Sequence, residues 1–129
     1  MSRRIIQTKT APAAIGTYSQ AVQVNKGTLT FISGQIPLDA ESMAVVSDTF
    51  KDQAHQVFKN LAAVAQAGGN SLDDCVKLTI YLTDLTEFVS LNTVMADYFS
   101  EPYPSRAAIE VSALPANVQI EIDAIIVSD

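Results

Sequence analysis

Two ionisable residues in the last quarter of the chain, Arg106 in "PSRAAIEV" and Glu121 in "VQIEIDAI", have the types best suited to chemistry. A guanidinium can grip a carboxylate through two parallel hydrogen bonds. A glutamate beside that seat can hold a water or move a proton at the neighbouring carbon. Both segments alternate with period two, as strands do. An antiparallel hairpin that puts Ala107, Ile109 and Val111 on the same core as Val118, Ile120 and Ile122 sets Ile109 opposite Ile120 as the preferred register, and a slip by two residues keeps the same faces. About four residues, Ala113 to Ala116, then form the connection. In that register Ala108 lies opposite Glu121, and Arg106 lies diagonal to it at a Cβ separation of ~7 Å. The same pattern also suits an ion pair of purely structural use, so spacing alone leaves both uses open. Ile125 and Val127 fall on the Glu121 face, and a half-apolar sheet surface points to a subunit interface.

The elements that must position these residues are legible upstream. "VQVNKGTLTFISGQIP" reads as two short strands around a turn at Asn25, Lys26 and Gly27. A helix follows over "SDTFKDQAHQVFKNLAAVAQAGG", with Phe50, Ala54, Val57, Phe58, Leu61, Val64 and Ala65 on one face. Ser47 or Asp48 can cap it, and Gly68 and Gly69 can release it. "CVKLTIYLTD" alternates strictly as a strand. Asp84 and Glu87 resemble a capping box for a second helix carrying Phe88, Leu91, Met95, Tyr98 and Phe99. Pro102 and Pro104 end that segment. The order is strand, strand, helix, strand, helix, strand, strand. It predicts an α+β two-layer domain, a mixed β-sheet covered on one face by two helices.

The 129 residues suit a single domain over 1–129. Eight basic against fourteen acidic residues give a net charge of −6, which disfavours nucleic-acid binding. Arg3 and Arg4 are the only adjacent basic pair, at an end expected to be mobile. Cys75 is the only cysteine, so no intrachain disulfide can form. "MSRRIIQTKTAP" lacks the apolar stretch of a signal peptide, and no apolar run reaches the ~20 residues that span a bilayer. The expected location is cytoplasmic, without a membrane partner.

The segments "APAAIGTYSQAV", "FISGQIPLD", "YLTDLTEFVSLNTVMADYF", "YPSRAAIEVSALP" and "VQIEIDAI" come in an order and spacing that resemble the RidA family of imine/enamine deaminases, from about Thr10 to Val127. The resemblance implies a chorismate-mutase-like fold assembled as a homotrimer, with sites in the clefts between neighbours. It implies hydrolysis of reactive 2-imino acids, such as 2-iminobutanoate and 2-iminopropanoate, to 2-keto acids and ammonia. It implies no metal or organic cofactor, and one histidine with one cysteine could not make an ordinary zinc site.

Carried over by motif, Arg106 matches the arginine that grips the substrate carboxylate. Glu121 matches the carboxylate that orients or activates water. Tyr18 in "IGTYSQA" matches a tyrosine presented by the adjacent subunit. Ser33 and Gly34 match the segment lining the pocket, and Phe88 and Asn92 match residues of its wall. Two positions depart from the pattern. Ala108 stands where a cysteine is common, which leaves a roomier pocket floor. Thr17 stands where a proline is common, which frees the turn before Tyr18. A non-catalytic trimer that binds small carboxylates is the alternative use of the same fold. An RNA-cleaving role, also attached to the family, fits poorly with the negative charge and a single histidine.

Read without the resemblance, His55 is a solvated helix residue among Gln53, Gln56 and Lys59. Cys75 is a structural small residue with no activating partner. Tyr18, Phe88, Asn92 and Ser33 each have an ordinary explanation as loop, core, helix or strand residues.

Overall fold

A computed structural model describes residues 3–129. Six strands and two helices follow in the order β1 (Arg3–Ile6), β2 (Ala21–Val24), β3 (Thr28–Gln35), α1 (Phe50–Ala67), β4 (Cys75–Leu82), α2 (Phe88–Met95), β5 (Ser105–Glu110) and β6 (Ile120–Ser128). The expected α+β architecture is present, with one strand more than the alternation pattern revealed. The segment expected to be mobile forms β1, which pairs antiparallel with β2 in a separate two-stranded ribbon. Arg3 is fastened there, donating from Nη1 to the carbonyls of Asp73 at 2.9 Å and Cys75 at 3.2 Å.

The main sheet has strand order β3-β6-β4-β5. Its middle pair, β6 and β4, buries one face completely: Ile120, Ile122, Ala124 and Ile126 beside Leu78, Ile80 and Leu82. α1 covers that face with Phe50, Ala54, Val57, Phe58, Leu61 and Ala65. Val64, on the margin of the stripe, stays partly exposed. Thr49 caps α1, its hydroxyl accepting from the Asp52 N–H, in place of Ser47 or Asp48. Asp84 caps a short 3₁₀ turn at Leu85–Glu87 that leads into α2; its carboxylate accepts from Thr86, and Glu87 makes no side-chain cap to α2. Among the described residues, no helix is long and apolar enough to cross a membrane.

The expected hairpin of the last two strands does not form. β5 lies parallel to β4, and β6 runs antiparallel to β4 on its other side. The β4-α2-β5 crossover explains the parallel pair, since a strand returning after a helix runs in the same direction. The chain from Val111 to Gln119 then carries β6 past β4, where it gains a second neighbour in β3. A 3₁₀ turn at Pro115–Asn117, with Ala116 and Asn117 in the left-handed region, makes that passage. A strand as apolar as β6 loses the most water-exposed surface in this central position.

The correction changes how Arg106 and Glu121 relate. Arg106 lies opposite Leu78, on the face under the helices. Glu121 lies opposite Tyr81, on the uncovered face. Two strand spacings and a three-residue offset put their Cα atoms about 14 Å apart, with the side chains pointing away from each other. Ala108 is separated from Glu121 in the same way. It lies opposite Ile80 and packs against the core, one strand period from Arg106.

Candidate active site

Arg106 is the centre of one half of the site. As a residue of an edge strand it extends past the sheet toward α2 and the loop before β2. Its guanidinium Cζ stands 4.9 Å from the centre of the Tyr18 ring and 5.2 Å from that of Phe88. Two aromatic faces therefore bracket a cation, an arrangement that is favourable and strengthened by loss of water. Nη1 donates to Asn92 Oδ1 at 2.8 Å and to Thr17 Oγ1 at 2.9 Å, with the Met95 sulfur at 3.5 Å. Burial lowers the guanidinium's pKa, and neighbouring Tyr18 opposes this. An arginine remains a cation even so.

The loop that supplies Thr17 and Tyr18 is tied to the start of β5. The Ser19 N–H donates to the Pro104 carbonyl at 2.9 Å, and the Ser19 hydroxyl donates to that of Tyr103. At the next turn of chain the Ser105 hydroxyl donates to Val76 in β4 at 2.7 Å. Loop and strand end are thus joined through Ser19. Tyr18 is set by its own chain against Arg106, which corrects the expectation that an adjacent subunit presents it. A cleft of about 630 Å³ lined by Gly16, Tyr18, Gln20 and Tyr103 adjoins this loop.

Glu121 belongs to the other half, on the opposite face of the sheet. The β3–β6 ladder shifts register between Ile32 and Gln35, so Ser33 and Gly34 form a bulge beside Glu121. A Cβ on Gly34 would collide with the Glu121 carboxylate. Only glycine lets that carboxylate lie against the strand backbone. Tyr81, across from Glu121 on β4, donates its hydroxyl to Asp123 Oδ2 at 3.0 Å. That bond raises the Tyr81 pKa, with desolvation and the charges of Asp123 and Glu121 adding to it. Phe31, 71% exposed, and Leu29 and Ile109, about half exposed, lie on the same uncovered face.

The structure therefore groups the residues singled out from sequence into two sets. Arg106, Tyr18, Phe88, Asn92 and Ala108 lie together, and Ser33, Gly34 and Glu121 lie together. Sequence reasoning missed the Thr17 hydroxyl and the Met95 sulfur as partners of Arg106, and Tyr81 as the neighbour of Glu121. His55, expected to be solvated, is half-buried, its Nδ1 2.8 Å from the Tyr98 hydroxyl, and stands outside both sets. Cys75 is buried and its thiol is pushed up to about 12, principally by burial, so it is no nucleophile. Among the described residues, no three histidine, cysteine, aspartate or glutamate side chains converge where an ion could be held.

The family model described as "Endoribonuclease L-PSP" matches residues 8–128. The chain belongs to the RidA family. RidA from the Antarctic bacterium Psychrobacter sp. is similar at 49% identity, with a TM-score of 0.76 over 97% of this chain and 99% of that one. The 2-iminobutanoate/2-iminopropanoate deaminase of Mus musculus is 42% identical over 97% of this chain and 91% of its own length. Escherichia coli TdcF, solved with bound serine, is similar at 38% identity with a TM-score of 0.75, over 98% of this chain and 99% of that one. RidA relatives thus include imine deaminases and a protein holding a small amino acid.

Proposed function

We propose that this RidA-family chain hydrolyses 2-imino acids, 2-iminobutanoate and 2-iminopropanoate among them, to 2-keto acids and ammonia. The observation that carries the reading is the half-buried guanidinium of Arg106 between the Tyr18 and Phe88 rings. Such a cation suits a small planar anion that carries a short apolar tail. The mouse deaminase and the serine-bound TdcF support the same substrate class.

Under this proposal Glu121 serves a substrate held by the Arg106 of another copy, because the two stand on opposite faces of one sheet. A homotrimer with sites between neighbours meets that need, and the exposed Phe31, Leu29 and Ile109 supply an apolar surface for it. The iminium carbon is already electrophilic, so no covalent nucleophile is needed. Glu121 orients a water toward that carbon and takes a proton as the new C–O bond forms. It returns the proton to nitrogen, and as the C–N bond of the carbinolamine breaks the carboxylate takes the hydroxyl proton, leaving the keto acid and ammonia. Arg106 fixes the carboxylate, so that water and carbon are held at reacting distance.

Cleavage of RNA, which the family model's description suggests, is not our reading. The net charge of −6 opposes a polyanion. The one histidine is bonded to Tyr98, outside both halves of the site.

The test generates 2-iminobutanoate with a threonine dehydratase and traps the remaining imine with semicarbazide. Wild type is expected to diminish the trapped product, and Arg106→Ala to lose roughly 100-fold or more of that effect. Equal activity in the two proteins overturns the assignment. Binding of 2-ketobutyrate that depends on Arg106, without any shortening of imine lifetime, would make the protein a carboxylate-binding regulator instead.

A further inference from the structure

Thr17 is buried, at 8% exposure, in a loop whose other residues are largely open to solvent. Its hydroxyl is used twice. It accepts from Arg106 Nη1 at 2.9 Å and donates to Asn92 Oδ1 at 3.1 Å. Asn92 Oδ1 accepts in turn from the same Nη1 at 2.8 Å. Three side chains from three separate segments close a triangle of hydrogen bonds around one nitrogen.

The triangle decides which part of the guanidinium is left to work. Nη1 is engaged on this side by Thr17 and Asn92, with the Met95 sulfur also in reach. Among the described residues, Nε and Nη2 donate to no protein atom, and no buried side-chain nitrogen or oxygen lacks a partner. Nε and Nη2 therefore reach solvent. Their two parallel N–H groups form the edge that fits a carboxylate side-on. Gly16 keeps that edge clear, since a Cβ there would stand 3.3 Å from Nη2. The centres of the Tyr18 and Phe88 rings stand 4.9 and 5.2 Å from the guanidinium Cζ. Rotation about the Nε–Cζ bond, which would exchange Nη1 and Nη2, is opposed by the Thr17–Asn92 pair, since the hydrogen bonds to Nη1 must break first.

We infer that Thr17 is a positioning residue, which locks Arg106 so that its Nε/Nη2 edge is the seat of the substrate carboxylate. The inference deepens the proposed function for the carboxylate seat, and its structural part can be tested without turnover. Valine has the shape of threonine and no hydroxyl, whereas serine keeps the hydroxyl. In ¹⁵N–¹H spectra of the full-length protein, wild type and Thr17→Ser are expected to show separate Arg106 Nη1 and Nη2 signals. Thr17→Val is expected to average them. Calorimetric titration with 2-ketobutyrate is expected to give a Kd raised about tenfold in Thr17→Val and within about twofold of wild type in Thr17→Ser. Imine turnover is expected to show the loss chiefly in KM.

Thermal unfolding establishes that each variant is folded, and Thr17→Ala replaces Thr17→Val if the latter is not. Wild-type spectra and affinity in the hydroxyl-free variant overturn the inference. A wild type whose separate Nη signals vanish in Thr17→Val, but which binds no 2-keto acid, upholds the lock and sinks the proposed function.

Discussion

Arg106 and Glu121 project from opposite faces of one sheet, with β4 lying between their strands. Neither can reach the other within a chain. Any chemistry that needs both must join two copies, and this governs how variants should behave in mixtures.

Glu121→Gln keeps the shape of the side chain and removes its basicity. Under the proposed mechanism it is expected to lower kcat about 100-fold, with 2-ketobutyrate affinity nearly unchanged. Mixed one to one with Arg106→Ala and allowed to exchange subunits, it should restore intact Arg106–Glu121 combinations in about a quarter of the sites of a trimer. Assay of imine hydrolysis before and after exchange checks this. Two inactive proteins that stay inactive after proven exchange would contradict a shared site.

Gly34→Ala introduces a methyl group where the Glu121 carboxylate lies. The carboxylate must move, and displacement of a catalytic group by about 1 Å can cost about 100-fold in rate. The expected outcome is a kcat loss approaching that of Glu121→Gln in a protein that still unfolds cooperatively. Wild-type kcat would show that Glu121 needs no fixed seat beside the bulge.

Phe31 lies on the uncovered face, 71% exposed, so its removal costs the isolated chain little. Phe31→Asp is expected to shift the sedimentation coefficient from that of an oligomer to that of a monomer, with the helical circular dichroism unchanged. Imine hydrolysis should disappear with the oligomer. An active monomer would refute the need for a second copy.

Cys75 is 1% exposed, and its thiol is raised from 9.0 to about 12, chiefly by burial. A thiol reagent should leave the native protein unlabelled and modify it on unfolding. The sign of the pH effect follows from the raised value. The stability linked to this group is fully present below pH 9 and drains away as pH rises toward about 12, because the unfolded thiol ionises first. Cys75→Ala should flatten that alkaline decline, measured by denaturant midpoints, and leave imine hydrolysis unchanged.

Local pattern made most elements readable. The α1 stripe from Phe50 to Ala65 and the alternation of β4 belong to short-range periodicity, which the chain writes plainly. Strand partners are a different matter. Alternation in β5 and β6 showed which residues share a side of each strand, but a hairpin and a split by β4 satisfy it equally. β1 is four residues long with two arginines, too short and polar to register as a strand. The Thr17 hydroxyl meets partners 75 and 89 positions away, and His55 meets Tyr98 43 positions away. Contacts across such distances have no periodic trace. Similarity of motif named Arg106, Tyr18, Phe88 and Asn92 together, and the fold shows why they cluster: α2, β5 and the Ser19-anchored loop converge on one edge.

The central place of β6 also bears on how the molecule is made. β6 is the strand that joins β3 to β4, so until Ile120–Ser128 is in place β3 and the β4–β5 pair each carry an unpaired edge. Closure of the main sheet thereby depends on β6. A nick or an in-frame deletion of a few residues inside Ile120–Ser128 should remove the solubility of the whole product, while an in-frame deletion of equal size at Thr8–Ala14 leaves the sheet intact.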